Sequence, residues 1–130
     1  MLETISIKTI EAIFDAMPVD LTFVDDTDTV RYFSKGDERI FRRTPSVIGR
    51  KVQDCHPKQS LHKVEQVVGE LKAGRRNVAE FWIDLKGRKI YIRYFAVRDK
   101  QGKYLGILEV TQDITELQKI EGEKRLLDEG

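Results

Sequence analysis

Cysteine, histidine, proline and net charge are all scarce in this chain of 130 residues, and each scarcity closes a class of function. A single cysteine, Cys55, excludes an internal disulfide and fits a reducing, cytoplasmic setting. With only His56 and His62 as histidines, catalysis would have to rest on scattered carboxylates. No glycine-rich phosphate loop, nucleophile elbow or metal-binding triad is present, so the chain reads as a binding protein and not an enzyme. A net charge of +1 gives no basic field for nucleic acid. Apolar runs last only a few residues, which excludes a spanning helix, and no basic segment leads an apolar one at the N-terminus as in a secretory signal.

What is present is the composition of one ordinary folded domain: 40% hydrophobic and 35% charged, long enough to bury a core without staples. Ile7, Ile10, Phe14 and Met17, widened by Leu2, Ile5 and Ile13, predict an amphipathic opening helix over residues 1–17, stopped at Pro18. Residues 21–24 and 30–33 predict a hairpin with the acidic tip Asp25-Asp26-Thr27-Asp28-Thr29. The tip lacks the glycine and distant glutamate of a calcium loop, and Asp is favoured in turns for its local hydrogen bonds. Short helical pieces follow: one turn over residues 37–41, another opened by Thr44-Pro45 and closed by Gly49, and a break at Asp54-Cys55-His56-Pro57. Leu61, Val64, Val67, Val68 and Leu71 mark one face of a longer helix ending at Gly74. Residues 78–85, 89–98 and 104–111, rich in β-branched and aromatic side chains and separated by glycine turns, predict an antiparallel meander. Alternation of Phe81, Ile83, Leu85 and of Ile90, Ile92, Tyr94, Ala96 gives those strands one apolar face. The last strand closes on Gln112-Asp113-Ile114-Thr115-Glu116 and leads into a charged segment with a partial stripe of Leu117, Ile120 and Leu127. That stripe predicts a helical connector over residues 114–127, near the lower length limit for an isolated helix.

This order of elements, with Ser46-Val47-Ile48-Gly49-Arg50, then His56-Pro57 before the long helix, and Val110 to Glu116 at the end, resembles a PAS domain over roughly residues 18–116. More narrowly, residues 18–23 and 31–35, Cys55-His56-Pro57 and the closing segment at 122–127 resemble PAS regions attached to hemerythrin-like and other uncharacterised bacterial proteins; two histidines are far too few for the di-iron bundle itself. The resemblance implies an α+β fold, a five-stranded antiparallel sheet with helices on one face enclosing a pocket. It divides the chain into an opening helix (1–17), a sensory domain (18–116) and a connector helix (117–130). It also implies a module that binds haem, flavin or a metabolite and relays a conformational change to its terminal helices. The alternative is a protein-interaction scaffold with a filled core and no cofactor. Because the chain ends at Gly130, such a module acts in trans or belongs to a larger regulator.

Haem is the leading named cofactor, since an axial ligand is available in Cys55, His56 or His62. His62 sits where some oxygen-sensing PAS domains place their ligand, yet it falls roughly 150° from the centre of the apolar helix face and should point to water. Cys55 and His56, on a loop free to turn inward, are better placed; the competing role for His56 is to hold the helix start with Pro57. A photochemical flavin site is disfavoured, because Cys55 lacks the Asn-Cys-Arg-Phe context such sites use. Glu109 interrupts an apolar strand and calls for solvent, a cation such as Arg93 on the neighbouring strand, or a ligand held by both. Trp82, Tyr91 and Tyr94 are candidates to line the pocket, against core or interface roles. The broad apolar face of the opening helix predicts homodimerisation through Ile7, Ile10, Phe14 and Met17, or a lid on its own sheet.

Overall fold

The computed structural model describes residues 1–128, in the order α1 (Ile7–Ala16), β1 (Asp20–Asp25), β2 (Val30–Phe33), α2 (Leu61–Ala73), β3 (Val78–Leu85), β4 (Arg88–Arg98) and β5 (Tyr104–Asp113). Single 3-10 turns at Gly36–Glu38, Pro45–Val47, Val52–Cys55 and Lys58–Ser60 make up the interrupted middle. Helix α1 starts where the Ser6 hydroxyl accepts from the Thr9 amide at 3.1 Å and ends as Met17 turns extended before Pro18. Helix α2 ends at Gly74, whose left-handed backbone (φ 78°) lets its N–H return to the Glu70 and Leu71 carbonyls. Among the described residues, no helix is long and apolar enough to cross a membrane.

The five strands pair antiparallel in the order β2-β1-β5-β4-β3. Directly opposed residues share a face, so the register sorts the sheet. Ile90, Ile92, Tyr94 and Ala96 stand opposite Asp113, Thr111, Glu109 and Ile107 on one side, and opposite Ile83, Phe81 and Ala79 on the other. Thr22 and Val24 continue that inner face beyond β5. Helix α2 closes it at one end: Val68 and Leu71, the latter wholly buried, meet Ile107, with Val52, Val64, Val67, Tyr94, Ala96 and Tyr104 packed around them. At roughly 25 cal/mol per Å2 of apolar surface, this contact is the main force seating α2.

On the outer face, α1 leans against the β1–β2 hairpin, with the Phe14 and Tyr32 rings 5.7 Å apart and the Asp15 carboxylate accepting from the Lys35 amide at 3.0 Å. The acidic tip is a turn: Asp25 Oδ1 accepts from the Thr27 amide (2.9 Å), the Thr27 hydroxyl (2.7 Å) and the Thr29 amide (3.1 Å), while Oδ2 pairs with Arg31 at 2.6 Å.

The predicted connector helix is not formed. After Asp113 the chain makes one 3-10 turn, Leu117–Lys119, and then runs irregularly to Asp128; Glu129 and Gly130 lie outside the described residues. Gly122 and Leu127 adopt positive φ, and Ile120 and Leu127 find no surface, remaining 70% and 84% exposed. Without a packed stripe, propensity alone does not hold so short a helix.

Candidate ligand site on the inner face

Three steps along β5 put Glu109, Thr111 and Asp113 on the inner face, opposite Tyr94, Ile92 and Ile90 of β4. Glu109 meets Arg43, Nη2 to Oε1 at 3.3 Å, with both side chains largely withdrawn from water. Burial, reinforced by the Glu109 carboxylate, pushes the Tyr94 phenol well above its ordinary pKa. Beside this cluster, Thr111 Oγ1 and Arg43 Nε are sealed from solvent and have no hydrogen-bond partner among the described residues. Buried polar atoms are ordinarily satisfied, and a water or a polar ligand atom would serve these two.

The cover over this strip is residues 39–43, which have no regular structure and are held by side chains. Arg39 is buried and donates to the Leu21 carbonyl (2.8 Å), the Ser34 carbonyl (3.0 Å), the Thr22 hydroxyl (3.0 Å) and the Phe41 carbonyl (3.2 Å). Its guanidinium also lies 5.7 Å from the centre of the Phe33 ring. The Asp20 carboxylate accepts from the Ile40 amide at 2.7 Å. These bonds stretch the segment across the sheet but leave its far end open. A cleft of about 590 Å3 results, lined by Ile40, Phe41, Arg42, Leu85, Lys86, Arg88, Ile90 and Asp113. Thr111 lies one pleat deeper than Asp113 and Glu109 two pleats deeper, roughly 7 and 13 Å along the strand.

The cleft wall is also the anchor of the C-terminal segment. Asp113 Oδ2 accepts from Arg88 Nε at 2.8 Å, and Oδ1 accepts from the Thr115 amide (2.9 Å) and hydroxyl (2.6 Å). Those contacts, the Thr115 hydroxyl first, lower the Asp113 pKa to about 2. Arg88 reaches Glu116 at 3.4 Å, the Lys89 amide donates to the Thr115 hydroxyl at 2.8 Å, and the Ile114 amide donates to the Lys89 carbonyl at 2.9 Å. Residues 113–116 are thus latched to the first residues of β4, immediately after the hairpin turn Lys86-Gly87.

Of the residues singled out from the sequence, Glu109 and Tyr94 share this inner face but lie deeper than the cleft and do not line it, and Arg93 and Trp82 stand on the opposite face. The register sets Arg93 opposite Val110, on the outer face, where it stacks over Tyr91 (4.6 Å) and Phe95 (5.5 Å) and reaches Gln112 at 3.5 Å. Side chains alternate faces along a strand, so Arg93 cannot pair with Glu109; Arg43 supplies the cation instead. Trp82 is 61% exposed on the outer face, edge-on to Tyr91 at 6.3 Å, and the Tyr91 hydroxyl donates to Glu80.

Cys55, His56 and His62 do not converge. The Cys55 thiol donates to the Lys51 carbonyl at 3.6 Å, and His56 Nδ1 donates to the Val52 carbonyl at 2.9 Å, so the loop folds onto its own turn and not into the cleft. Helix α2 begins after a further turn, so His56 fastens the preceding 3-10 turn and does not cap the helix. His62 is exposed, as its helical phase predicts. None of the three lines the cleft, and this arrangement does not fit an axial haem ligand. No group of three or more His, Cys, Asp or Glu side chains is placed to hold a metal among the described residues.

Arg39, Arg43, Lys86 and Arg88 were not among the sequence candidates. The only sequence signal for the first two is the run Arg39-Ile-Phe-Arg-Arg43, which sets cations around two apolar residues in a segment without periodicity.

A C-terminal domain from Streptococcus mutans shares 34% identity and superposes with a TM-score of 0.84, covering 90% of this chain and 91% of that one. A PAS domain from Colwellia psychrerythraea (17% identity, TM-score 0.60) covers 84% of this chain and 97% of its own length. The PAS domain of Bordetella pertussis BvgS (17%, TM-score 0.62) covers 86% and 90%. No curated protein matches. The sequence model of the PAS domain matches residues 10–115, from the middle of α1 to the latch, and the chain belongs to the PAS domain family.

Proposed function

We propose that this chain is a sensory or regulatory module in which occupancy of the inner-face cleft is passed to the C-terminal segment. PAS domains are generally modules of that kind, and sensor histidine kinases are among the proteins whose folds this chain shares. The observation that carries the reading is the double use of one short stretch: Leu85, Lys86 and Arg88 line the cleft, while Arg88 and Lys89 hold Asp113, Ile114, Thr115 and Glu116. A molecule wedged against Leu85 and Ile90 displaces the hairpin end that anchors the exit from the sheet. In this reading the latch is closed as it stands here and released when the hairpin end moves, and a ligand that favours one state shifts the population. The reading is of a binding module and not an enzyme.

Filling the cleft from within tests the coupling without any ligand. Leu85→Trp should shift the amide resonances of residues 113–119 in a 15N spectrum, while Gln101→Trp, on the exposed turn before β5, should leave them in place. Unmoved resonances in a folded Leu85→Trp protein would refute the relay. A haem Soret band in freshly purified protein would contradict the placement of the site, because the cleft offers no axial ligand.

A second reading, dimerisation through α1, is favoured by one observation. Phe14 is engaged with the sheet, but Ile7 (80% exposed) and Ile13 (44%) stay open on the same helix. Ile7 lies on the same stripe as Phe14 two turns earlier, and Ile13 lies about 100° around from it, so α1 meets the sheet through Phe14 and leaves apolar surface that a second copy would cover.

A further inference from the structure

The rim of the cleft is uneven in charge. Asp113 is committed to Arg88 and Thr115, and Arg88 is in turn shared between Asp113 and Glu116. Lys86, by contrast, makes no hydrogen bond or ion pair among the described residues, although it lines the cleft. Its backbone is also costly: Lys86 holds φ at 50° in the two-residue turn where Leu85 pairs with Arg88. That position favours Asn, Asp or Gly, and a lysine there gains nothing from the turn itself. Arg42 adds a second cation to the rim beside Lys86, and the remaining walls, Ile40, Phe41, Leu85 and Ile90, are apolar. A volume of about 590 Å3 lies within the range of roughly 300–1,000 Å3 typical of small-molecule pockets.

We infer that the cleft takes a small amphipathic anion, its apolar body laid on Ile40, Phe41, Leu85 and Ile90 and its head drawn to the Lys86 ammonium. Here the inference rests on the module reading above and names the ligand class for the same site. Apolar contact supplies most of the affinity, since Arg42, Lys86 and Arg88 on the rim are exposed and Asp113 is already paired. Lys86, with Arg42 in the same lining, supplies the sign: a neutral or cationic amphiphile leaves that charge unanswered or is repelled by it. Its flexible stem allows a carboxylate or a phosphate head, because an ammonium binds either as a point charge.

Titration of the 15N-labelled chain with decanoate, decyl phosphate, decanol and decyltrimethylammonium is the test. Decanoate or decyl phosphate should shift the amides of Leu85, Lys86, Arg88, Ile90 and Asp113, with decanol weaker by about twofold to fivefold, the worth of one exposed ion pair. The stronger of the two anions assigns the head group. Lys86→Asn, which suits the turn better than lysine, should keep the fold and weaken both anions by about twofold to fivefold, leaving decanol unchanged. Equal binding of decanol and both anions to the natural chain, unchanged anion binding by Lys86→Asn, or no binding of either anion at millimolar concentration would each overturn the inference. Failure here with a responsive latch in Leu85→Trp removes only the ligand class; anion binding with an unresponsive latch removes the relay and keeps the site.

Discussion

Gly106 and Gly69 make opposite demands on a side chain. Gly106, on β5 against Asp25, holds φ at 151°, and a Cβ there would stand 2.1 Å from the Val24 carbonyl oxygen, a backbone atom with nowhere to go. Gly69 lies within α2 with nothing within 4 Å of its would-be Cβ. Gly106→Ala should therefore cost about 2–4 kcal/mol, whereas Gly69→Ala should add up to about 1 kcal/mol; urea denaturation of the two variants measures both. At the same scale, Asp113 gives the latch a pH signature. Its folded pKa of about 2 is below the ordinary aspartate value of about 3.9. The stability it contributes is complete above the ordinary value and is lost as pH falls through the folded one. The Thr115 and Ile114 amides should stay protected at pH 5 and lose protection as pH approaches 2, and Asp113→Asn should remove that acid step. Loss of protection already near pH 5 would show that Asp113 does not hold the latch.

Among the elements, β3 is legible in the sequence from end to end, because its residues and its glycine turn repeat the period of a sheet. The outward angle of His62 is legible for the same reason, since it follows from one helix alone. The partner of Glu109 is not. It depends on which face of β5 looks inward and on Arg43, 66 residues earlier in the chain, in a segment whose place is fixed by Arg39 and Asp20 and not by any periodicity. The connector failed for a related reason: its partial stripe carried a helical period, but helix formation at that length depends on a packing surface that the sequence does not display. Residues 39–43 should accordingly behave as a separable element. Arg39→Met removes four hydrogen bonds and leaves the Leu21 carbonyl and the Thr22 hydroxyl buried without this donor. A loss of about 2–4 kcal/mol is expected, with hydrogen exchange accelerated first at Ile40. A loss within about 0.5 kcal/mol would mean that the cover is held by something else.

Across the whole molecule, the sheet separates two surfaces with different uses. The outer face carries α1 on the β1–β2 hairpin, leaving Ile7, Ile13 and Trp82 exposed; the inner face carries α2 at one end and the cleft and latch at the other. If the exposed apolar surface of α1 joins two copies, Ile13→Asp should convert a sedimenting dimer to a monomer at micromolar concentration while leaving the cleft intact. A natural chain that sediments as a monomer, or an Ile13→Asp variant that remains dimeric, would take α1 out of the interface.

The relay between the cleft and the exit from the sheet is tested most directly by amide hydrogen exchange in Leu85→Trp beside the natural chain, read at Lys89 and Ile114, whose amides make the latch bonds, and at Val68 and Leu71 as internal standards. The relay predicts that exchange at Lys89 and Ile114 changes by about tenfold, equivalent to about 1.4 kcal/mol in the latch equilibrium, with Val68 and Leu71 unchanged. Equal protection of Lys89 and Ile114 in the two proteins would contradict it.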